Sequence, residues 1–133
     1  DGLTPLMVAV RENLSVKTVD VLLDMGARVS DRADFGITPL MLAAGGNLNP
    51  YVLLTLLKHG ANPNDRSAEG ATPLMLAAGV NPNAREIVEV LLDCEVNTTA
   101  RDKEGRTAID YAKNNPALAD TETFWRLNNV SYD

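Results

Sequence analysis

The sequence predicts an all-α protein, a solenoid of about four stacked helix-turn-helix repeats with protruding links. The segment GITPLMLAA at residues 36–44 recurs along the chain. Its threonine lies at positions 4, 38, 72 and 107, so the spacings are 34, 34 and 35 residues. A fixed period in this range indicates stacked repeats rather than one globular core. We expect a single domain over residues 1–133, with repeats at 1–34, 35–68, 69–103 and 104–128.

The first helix of each repeat is predicted from its start signal. Thr38 is suited to accept a backbone hydrogen bond as an N-cap, and Pro39 follows where a helix needs no N–H donor. The same pair occurs at 4–5 and 72–73. Apolar and small side chains then recur at helical spacing, as in Leu40, Ala43 and Ala44.

The second helix of each repeat follows a polar turn. Ser15, Asn49 and Asn83 are the expected N-caps of these helices. Gly26 and Gly60 are suited to end the first two in a left-handed conformation, and the extra residue of the third repeat is assigned to its inter-helix turn. The apolar residues that follow the caps are expected to be mostly buried: Val19, Val21, Leu22, Leu23, Leu53, Leu54, Leu56, Leu57, Ile87, Val88, Val90, Leu91 and Leu92.

The two ends of the array differ in sequence. Asp110 and Lys113 of the fourth repeat replace apolar residues, so its outer side is expected to face water as a C-terminal cap. Three side chains are expected to cover the last interface: Phe124, Trp125 and Leu127. No comparable cap is visible at the other end, where three side chains are expected to leave an apolar side open: Leu6, Val19 and Leu22.

The pattern Gly-x-Thr-Pro-Leu-x-x-Ala-Ala, followed by a Leu-Leu helix and Gly-Ala-x-x-Asn, resembles the ankyrin repeat. Residues 56–64 (LLKHGANPN) carry the resemblance especially well. Methionine replaces the histidine of the family signature at Met7, Met41 and Met75, which resembles a bacterial-type variant and substitutes a flexible apolar filler. The resemblance implies an all-α ankyrin-repeat solenoid and a non-catalytic protein–protein interaction module.

The resemblance also implies which residues contact a partner, namely the link tips and the exposed face of the first helices. The expected contacts are Leu3, Arg11, Glu12, Asp34, Phe35, Ile37, Gly45, Gly46, Glu69, Ala71, Gly79, Val80, Lys103, Glu104 and Arg106. Phe35 is an aromatic at a polar tip, and it either serves as a binding hot spot or folds back onto the next repeat. Gly45 and Gly46 either leave an open dip or ease the turn.

Composition and charge argue against other classes of function. The net charge is −6 and the basic residues are scattered, which is unlike a nucleic-acid-binding surface. No apolar run approaches the length of a membrane span. The single Cys94 permits no intrachain disulfide and slightly favours a cytoplasmic location, and His59 and Cys94 form no metal-binding motif. We therefore expect no enzyme, metal or cofactor, and a protein partner, with the chain monomeric or weakly self-associating.

Two alternatives remain open at this stage. The chain begins at Asp1 rather than at Met, so we expect further sequence upstream, and the repeats are then a regulatory or targeting segment of a longer enzyme. In the other alternative, the chain self-assembles through its uncapped N-terminal side. Three Asn-x-Ser/Thr triplets, at 13–15, 97–99 and 129–131, are attributed to chance in an asparagine-rich chain.

Overall fold

The computed structural model describes the backbone of residues 2–130 and the side chains of residues 2–128. Within this part the chain forms helices and no strands, as eight α-helices in four antiparallel pairs. The pairs are α1 (Pro5–Arg11) with α2 (Val16–Asp24), α3 (Pro39–Gly46) with α4 (Pro50–Lys58), α5 (Pro73–Val80) with α6 (Ala84–Leu92), and α7 (Ala108–Ala112) with α8 (Glu122–Val130). The predicted all-α solenoid is thus confirmed. The triplet at 129–131 lies outside the residues with described side chains.

The helices form two layers. The odd-numbered helices α1, α3, α5 and α7 pack side by side in one layer, and the even-numbered helices form the second layer. The core runs between the layers and is built from leucine, methionine, valine and alanine side chains. No helix in the described part is long and apolar enough to cross a membrane.

The predicted N-caps of the first helices are confirmed. The Oγ1 atoms of Thr4, Thr38 and Thr72 accept the backbone N–H three residues later, at 3.2–3.3 Å. In the fourth repeat the Asp110 carboxylate accepts the N–H of Thr107 at 3.0 Å. These bonds fix where each first helix starts and therefore where the preceding link must end.

The methionines that replace the family histidine are core residues. Met7, Met41 and Met75 are at most 1% exposed, so the expected apolar filler is confirmed. The sulfur of Met75 also accepts the N–H of Thr72 at 3.5 Å. The thioether therefore keeps part of a capping contact while filling the core.

The second helices depart from prediction in two ways. Val21 and Leu54, expected to be mostly buried, are 46% and 42% exposed because they lie on the outer side of their helices. Asn83 does not cap α6; its side-chain amide instead donates to the carbonyl oxygen of Leu48 at 3.0 Å. The cause is the extra residue of the third repeat. Asn49 and Asn83 are still 34 residues apart, whereas the buried Val52 and Ile87 that follow them are 35 apart. The extra residue therefore lies between Asn83 and Ile87.

The helix ends follow the predicted chemistry. Gly26 and Gly60 have φ values of +101° and +94°, which is the left-handed region that favours glycine. Glu95 takes the equivalent place in the third repeat and has φ +57°. The third repeat therefore keeps the same turn with a residue that tolerates it less well.

At both ends of the array, some apolar side chains are not exposed or buried as predicted. Leu6 and Val19, expected on an open apolar side, are 1% and 0% exposed because α3 and α4 already cover them. Leu22, the third of these residues, is half-buried and lines two surface hollows. The most exposed apolar residue at that end is Met25, at 80%. At the other end Leu127 is fully buried as expected, but Trp125 points outward and is 55% exposed.

A ladder of buried asparagines joins successive repeats. The side-chain amides of Asn47, Asn81 and Asn115 donate to the carbonyl oxygens of Val10, Ala44 and Ala78, at 2.8, 2.7 and 2.9 Å. We call these three residues the asparagine ladder. Each bond reaches a carbonyl near the end of the preceding first helix, where intrahelical partners run out. The Val10 oxygen also accepts the backbone N–H of Asn13 at 3.2 Å. Sequence reasoning missed the ladder, although asparagine recurs at 13, 47, 81 and 115 with a spacing of 34.

A second ladder joins the links. Arg32 donates through Nη1 to the carbonyl oxygens of Gly36, at 2.8 Å, and of Arg66, at 2.9 Å. Arg66 repeats the pattern with Gly70 and Arg101 one repeat later. These bonds hold both guanidinium groups in place against the links, and Arg32 also pairs with Asp65 at 3.5 Å.

Candidate binding surface

The link tips are narrow hairpin turns that sit one beside the next. In the second tip the N–H of Ala33 donates to the carbonyl oxygen of Ile37 at 2.8 Å. Adjacent tips are joined directly, because the N–H of Ala68 donates to the carbonyl oxygen of Phe35 at 2.8 Å. The N–H of Lys103 donates in the same way to Glu69, at 3.0 Å. The tips therefore form one continuous edge.

Phe35 stands out on this edge. It has φ +63° and is followed by Gly36 at φ +71°, so a bulky side chain occupies the left-handed region. Such a conformation costs roughly 1–2 kcal/mol for an L-residue other than glycine. The ring is 76% exposed and does not fold back onto the next repeat. Strain of this kind without compensating burial is characteristic of functional positions.

An apolar groove begins beside this tip. It has a volume of about 320 Å³ and runs along the exposed side of α3 between α1 and α5. We call this surface the central groove; it is lined by Arg11, Ile37, Met41, Leu42, Gly45, Gly46, Leu76 and Val80. Its floor is open because Gly45 has no side chain: a Cβ there would lie 3.6 Å from the Cβ of Leu76. The open-dip interpretation of Gly45 therefore fits the structure.

The same dip does not exist one repeat later. The ring of Tyr111 lies against Gly79, so that a Cβ on Gly79 would be only 2.8 Å from Cδ2 of the tyrosine. Ala71, expected to contact a partner, is 6% exposed because it is packed under the tip. We therefore leave Ala71 out of the candidate site and treat Gly79 as the support for Tyr111.

Tyr111 belongs to a fixed polar cluster at the fourth tip. Its hydroxyl donates to Oδ2 of Asp102 at 2.5 Å, and Nε of Arg106 donates to the same oxygen at 2.9 Å. The tyrosine hydroxyl, then Arg106 and backbone N–H groups, hold the pKa of Asp102 well below its usual range. Burial, followed by the Asp102 contact, raises the pKa of Tyr111 to about 12. The Arg106 guanidinium lies 5.0 Å above the tyrosine ring and is held there.

Charged groups border the central groove unevenly. At its lower end Nε of Arg11 pairs with Oε1 of Glu12 at 3.0 Å, which leaves little net charge. On the third tip, which adjoins the tip of Phe35, the exposed carboxylate of Glu69 makes no ion pair within residues 2–128. Of these two glutamates, only Glu69 has no ion-pair partner in the described part.

His59 and Cys94 have structural contacts in the described part. Nδ1 of His59 lies 2.9 Å from the carbonyl oxygen of Thr55, and Sγ of Cys94 donates to Val90 at 3.3 Å. Cys94 is half-buried, and burial followed by the charge of Asp93 raises its thiol pKa. Among the described residues no group of histidine, cysteine and acidic side chains is arranged to hold a metal.

A larger hollow of about 640 Å³ lies between α6 and α8, away from the expected contact residues. Its walls carry Arg85, Glu86 and Glu89, and Glu89 is held by Arg126 of α8. The central groove differs in being lined by apolar side chains and in adjoining an exposed aromatic. We therefore place the candidate site at the central groove and the tips above it.

The structure brings together most of the expected contacts and adds four. Arg11, Ile37, Gly45, Gly46 and Val80 all line the central groove, and Lys103, Glu104 and Arg106 extend the edge of tips. The additional residues are Met41, Leu42, Leu76 and Tyr111. Leu42 and Leu76 are 34 residues apart and directly follow Met41 and Met75. Their equivalent positions in two repeats could have indicated that both face the same surface.

Four helix pairs, joined through backbone-directed ladders and carrying a row of hairpin tips, define a solenoid repeat protein. A family model described as ankyrin repeats (3 copies) matches residues 1–67 and 40–121. The chain therefore belongs to the ankyrin repeat family, whose members are generally protein–protein interaction modules. No curated protein matches the chain.

Proposed function

We propose that this chain is a non-catalytic module that binds a protein partner through its link tips and the exposed face of its first helices. One observation carries the proposal. A strained and exposed aromatic, Phe35, is joined through Ile37 to an apolar groove of about 320 Å³. An aromatic anchor beside an apolar depression is the usual composition of a binding hot spot.

The rigidity of the site supports the same function. The asparagine ladder ties the first helices together, and Arg32 and Arg66 tie adjacent links. The tip edge and the groove therefore keep one geometry, and little conformational entropy is lost when a partner binds. At the fourth tip, Arg106 is held in place by Asp102 in the same way.

We also infer that residues 1–133 act as one domain with its last repeat as a C-terminal cap. Leu118 and Leu127 are fully buried against the preceding repeat. Arg126 of α8 binds Glu89 of α6 and, at 2.9 Å, Asp93 directly after that helix. Lys113 faces water, as expected of a capping repeat.

The proposal is tested by affinity purification with paired baits. Phe35→Asn removes the aromatic and suits the backbone, and Gly45→Leu fills the groove. Tyr51→Asn is the matched control, because Tyr51 is an aromatic that is 66% exposed on the opposite layer. We expect proteins retained by the native bait and by the Tyr51 variant to be lost from the other two. If all four baits retain the same proteins, the site lies elsewhere.

A second candidate function is self-association through the N-terminal side. Met25 is 80% exposed there, and two hollows of about 360 and 260 Å³ meet at Leu22. An exposed apolar surface of this kind can be covered by a second copy. Light scattering over a dilution series should then show a dimer that Met25→Glu abolishes. A strictly monomeric native chain would exclude this candidate.

A further inference from the structure

The central groove selects the kind of group that enters it. Ile37, Leu42 and Leu76 present hydrocarbon to its interior, and the one charged side chain in its lining, Arg11, is paired with Glu12. A polar group buried here would lose its water without gaining a partner. The inserted group is therefore apolar.

The size of the groove determines how large an apolar group can enter it. A protein cavity of roughly 150 Å³ already accepts benzene. At about 320 Å³ the central groove accommodates a leucine, methionine or phenylalanine side chain. The position of Gly45 on the floor is required for this depth, because any larger side chain would occupy it.

The tip above the groove has a different chemistry. Phe35 is exposed, and the adjoining tip carries Glu69, whose carboxylate has no ion-pair partner within residues 2–128. Arg32 and Arg66, on the links beside it, donate to backbone carbonyl oxygens and form no ion pair with Glu69. Lys103 lies on the far side of Glu69 from Phe35, on the fourth tip.

An aromatic face beside a carboxylate is suited to a guanidinium group. The planar cation stacks on the ring and donates hydrogen bonds in its own plane to the carboxylate. A lysine ammonium would satisfy the charge but not the stacking. The same stacked arrangement exists within the chain, where Arg106 lies 5.0 Å above the ring of Tyr111 and donates to Asp102.

Resting on the proposed binding function, we propose that the partner segment inserts a large apolar side chain into the central groove and places an adjacent arginine between Phe35 and Glu69. The apolar anchor supplies most of the contact area. The arginine fixes which way the segment lies, since Glu12 at the Arg11 end of the groove is already paired while Glu69 has no ion-pair partner within residues 2–128.

The test uses a phage-displayed library of random 12-residue peptides selected on the full chain. Binding of individual peptides is measured by isothermal titration calorimetry. We expect the selected peptides to share an apolar residue near an arginine. We expect Glu69→Gln to weaken their binding roughly three- to tenfold. Glu86→Gln is the matched control, because Glu86 is exposed on α6 in the other layer.

Substituting the peptide arginine completes a double-mutant cycle. Once that arginine is replaced by alanine, Glu69→Gln should have no further effect, and replacement by lysine should restore only part of the affinity. The inference is overturned if groove-dependent peptides carry no arginine, or if Glu69→Gln leaves their affinity unchanged. Peptides that bind equally to the Phe35→Asn and Gly45→Leu variants would instead overturn the proposed function itself.

Discussion

Asn81 reaches across a repeat boundary to bind Ala44: its side-chain amide donates to the alanine carbonyl oxygen at 2.7 Å while the asparagine is fully buried. The same amide donates to the carbonyl oxygen of Asn47 at 3.2 Å, and its oxygen accepts the N–H of Asn83 at 2.7 Å. One side chain thus satisfies two buried carbonyl oxygens and one part-buried N–H group of the backbone.

Replacing Asn81 should destabilise the fold. Asn81→Ala leaves two buried carbonyl oxygens and an N–H without partners, so we expect a loss of about 2–4 kcal/mol in the free energy of unfolding. Urea denaturation measures the loss. Asn83→Ala is the control, because it removes a single exposed bond to Leu48 and should cost less than about 1 kcal/mol. Equal effects of the two substitutions would contradict the structural role of the ladder.

Phe35→Asn should stabilise the chain while weakening binding. Asparagine tolerates a φ of +63° better than phenylalanine does, and the exposed ring contributes little packing. We expect the free energy of unfolding to rise by about 0.5–1 kcal/mol. Glu69→Asn at the next tip, which lacks the positive φ, should bring no such gain. A destabilised Phe35 variant would show that the ring has a packing role.

The paired glycines of the first helices should respond in opposite ways to alanine. Gly45→Ala meets only ordinary contacts at 3.6 and 3.9 Å and should be neutral or stabilising by up to about 1 kcal/mol through helix propensity. Gly79→Ala would bring Cβ to 2.8 Å from the Tyr111 ring. The Tyr111 ring must then move, which breaks its hydrogen bond to Asp102. We expect the free energy of unfolding to fall by about 1–3 kcal/mol. The unfolding temperatures of the two variants, compared with that of the native chain, test this prediction. Similar shifts in both variants would contradict it.

Acid should weaken the fourth tip through Asp102. Because the folded-state pKa of this carboxyl lies below its ordinary value of 3.8, the unfolded chain takes up the proton first as the pH falls. Its stabilisation is complete above that ordinary value and is lost as the pH drops towards the folded pKa. We expect Asp102→Asn to be less stable than the native chain at pH 7, with the difference narrowing on acidification.

Urea denaturation at several pH values measures that difference. Asp110 also has a lowered pKa but is present in both proteins, so its contribution cancels. Tyr111→Phe removes the largest cause of the Asp102 shift and should reduce the pH dependence without abolishing it. A native–variant difference that stays constant with pH would show that Asp102 titrates normally in the folded chain.

Local chemistry explains what the sequence could predict. Thr38 and Pro39 start a helix through bonds that span only three residues, so the sequence contains the whole determinant. The 34-residue period then stacks the helices, and the expected position of the groove at Gly45 follows. These features depend on neighbours along the chain and on repetition.

Features that the sequence could not predict depend on contacts between repeats or on unusual turns. Asn83 was expected to cap α6, yet one inserted residue turns its side chain to the Leu48 carbonyl 35 residues away. Whether the dip at Gly79 is open depends on Tyr111 of the next repeat. The conformation of Phe35, and hence its exposure, depends on a turn that no propensity for phenylalanine indicates. Each of these is decided by a residue or a turn outside the local pattern.

The asparagine ladder binds main-chain oxygen, which every amino acid offers. Its acceptors come from a valine and two alanines, yet the three bonds have nearly the same length. This part of the junction is therefore insensitive to the side chain at the accepting position. The packed side chains of neighbouring repeats must still fit each other, as Gly79 and Tyr111 do. Outward-facing positions, which take part in neither contact, are free to differ between units.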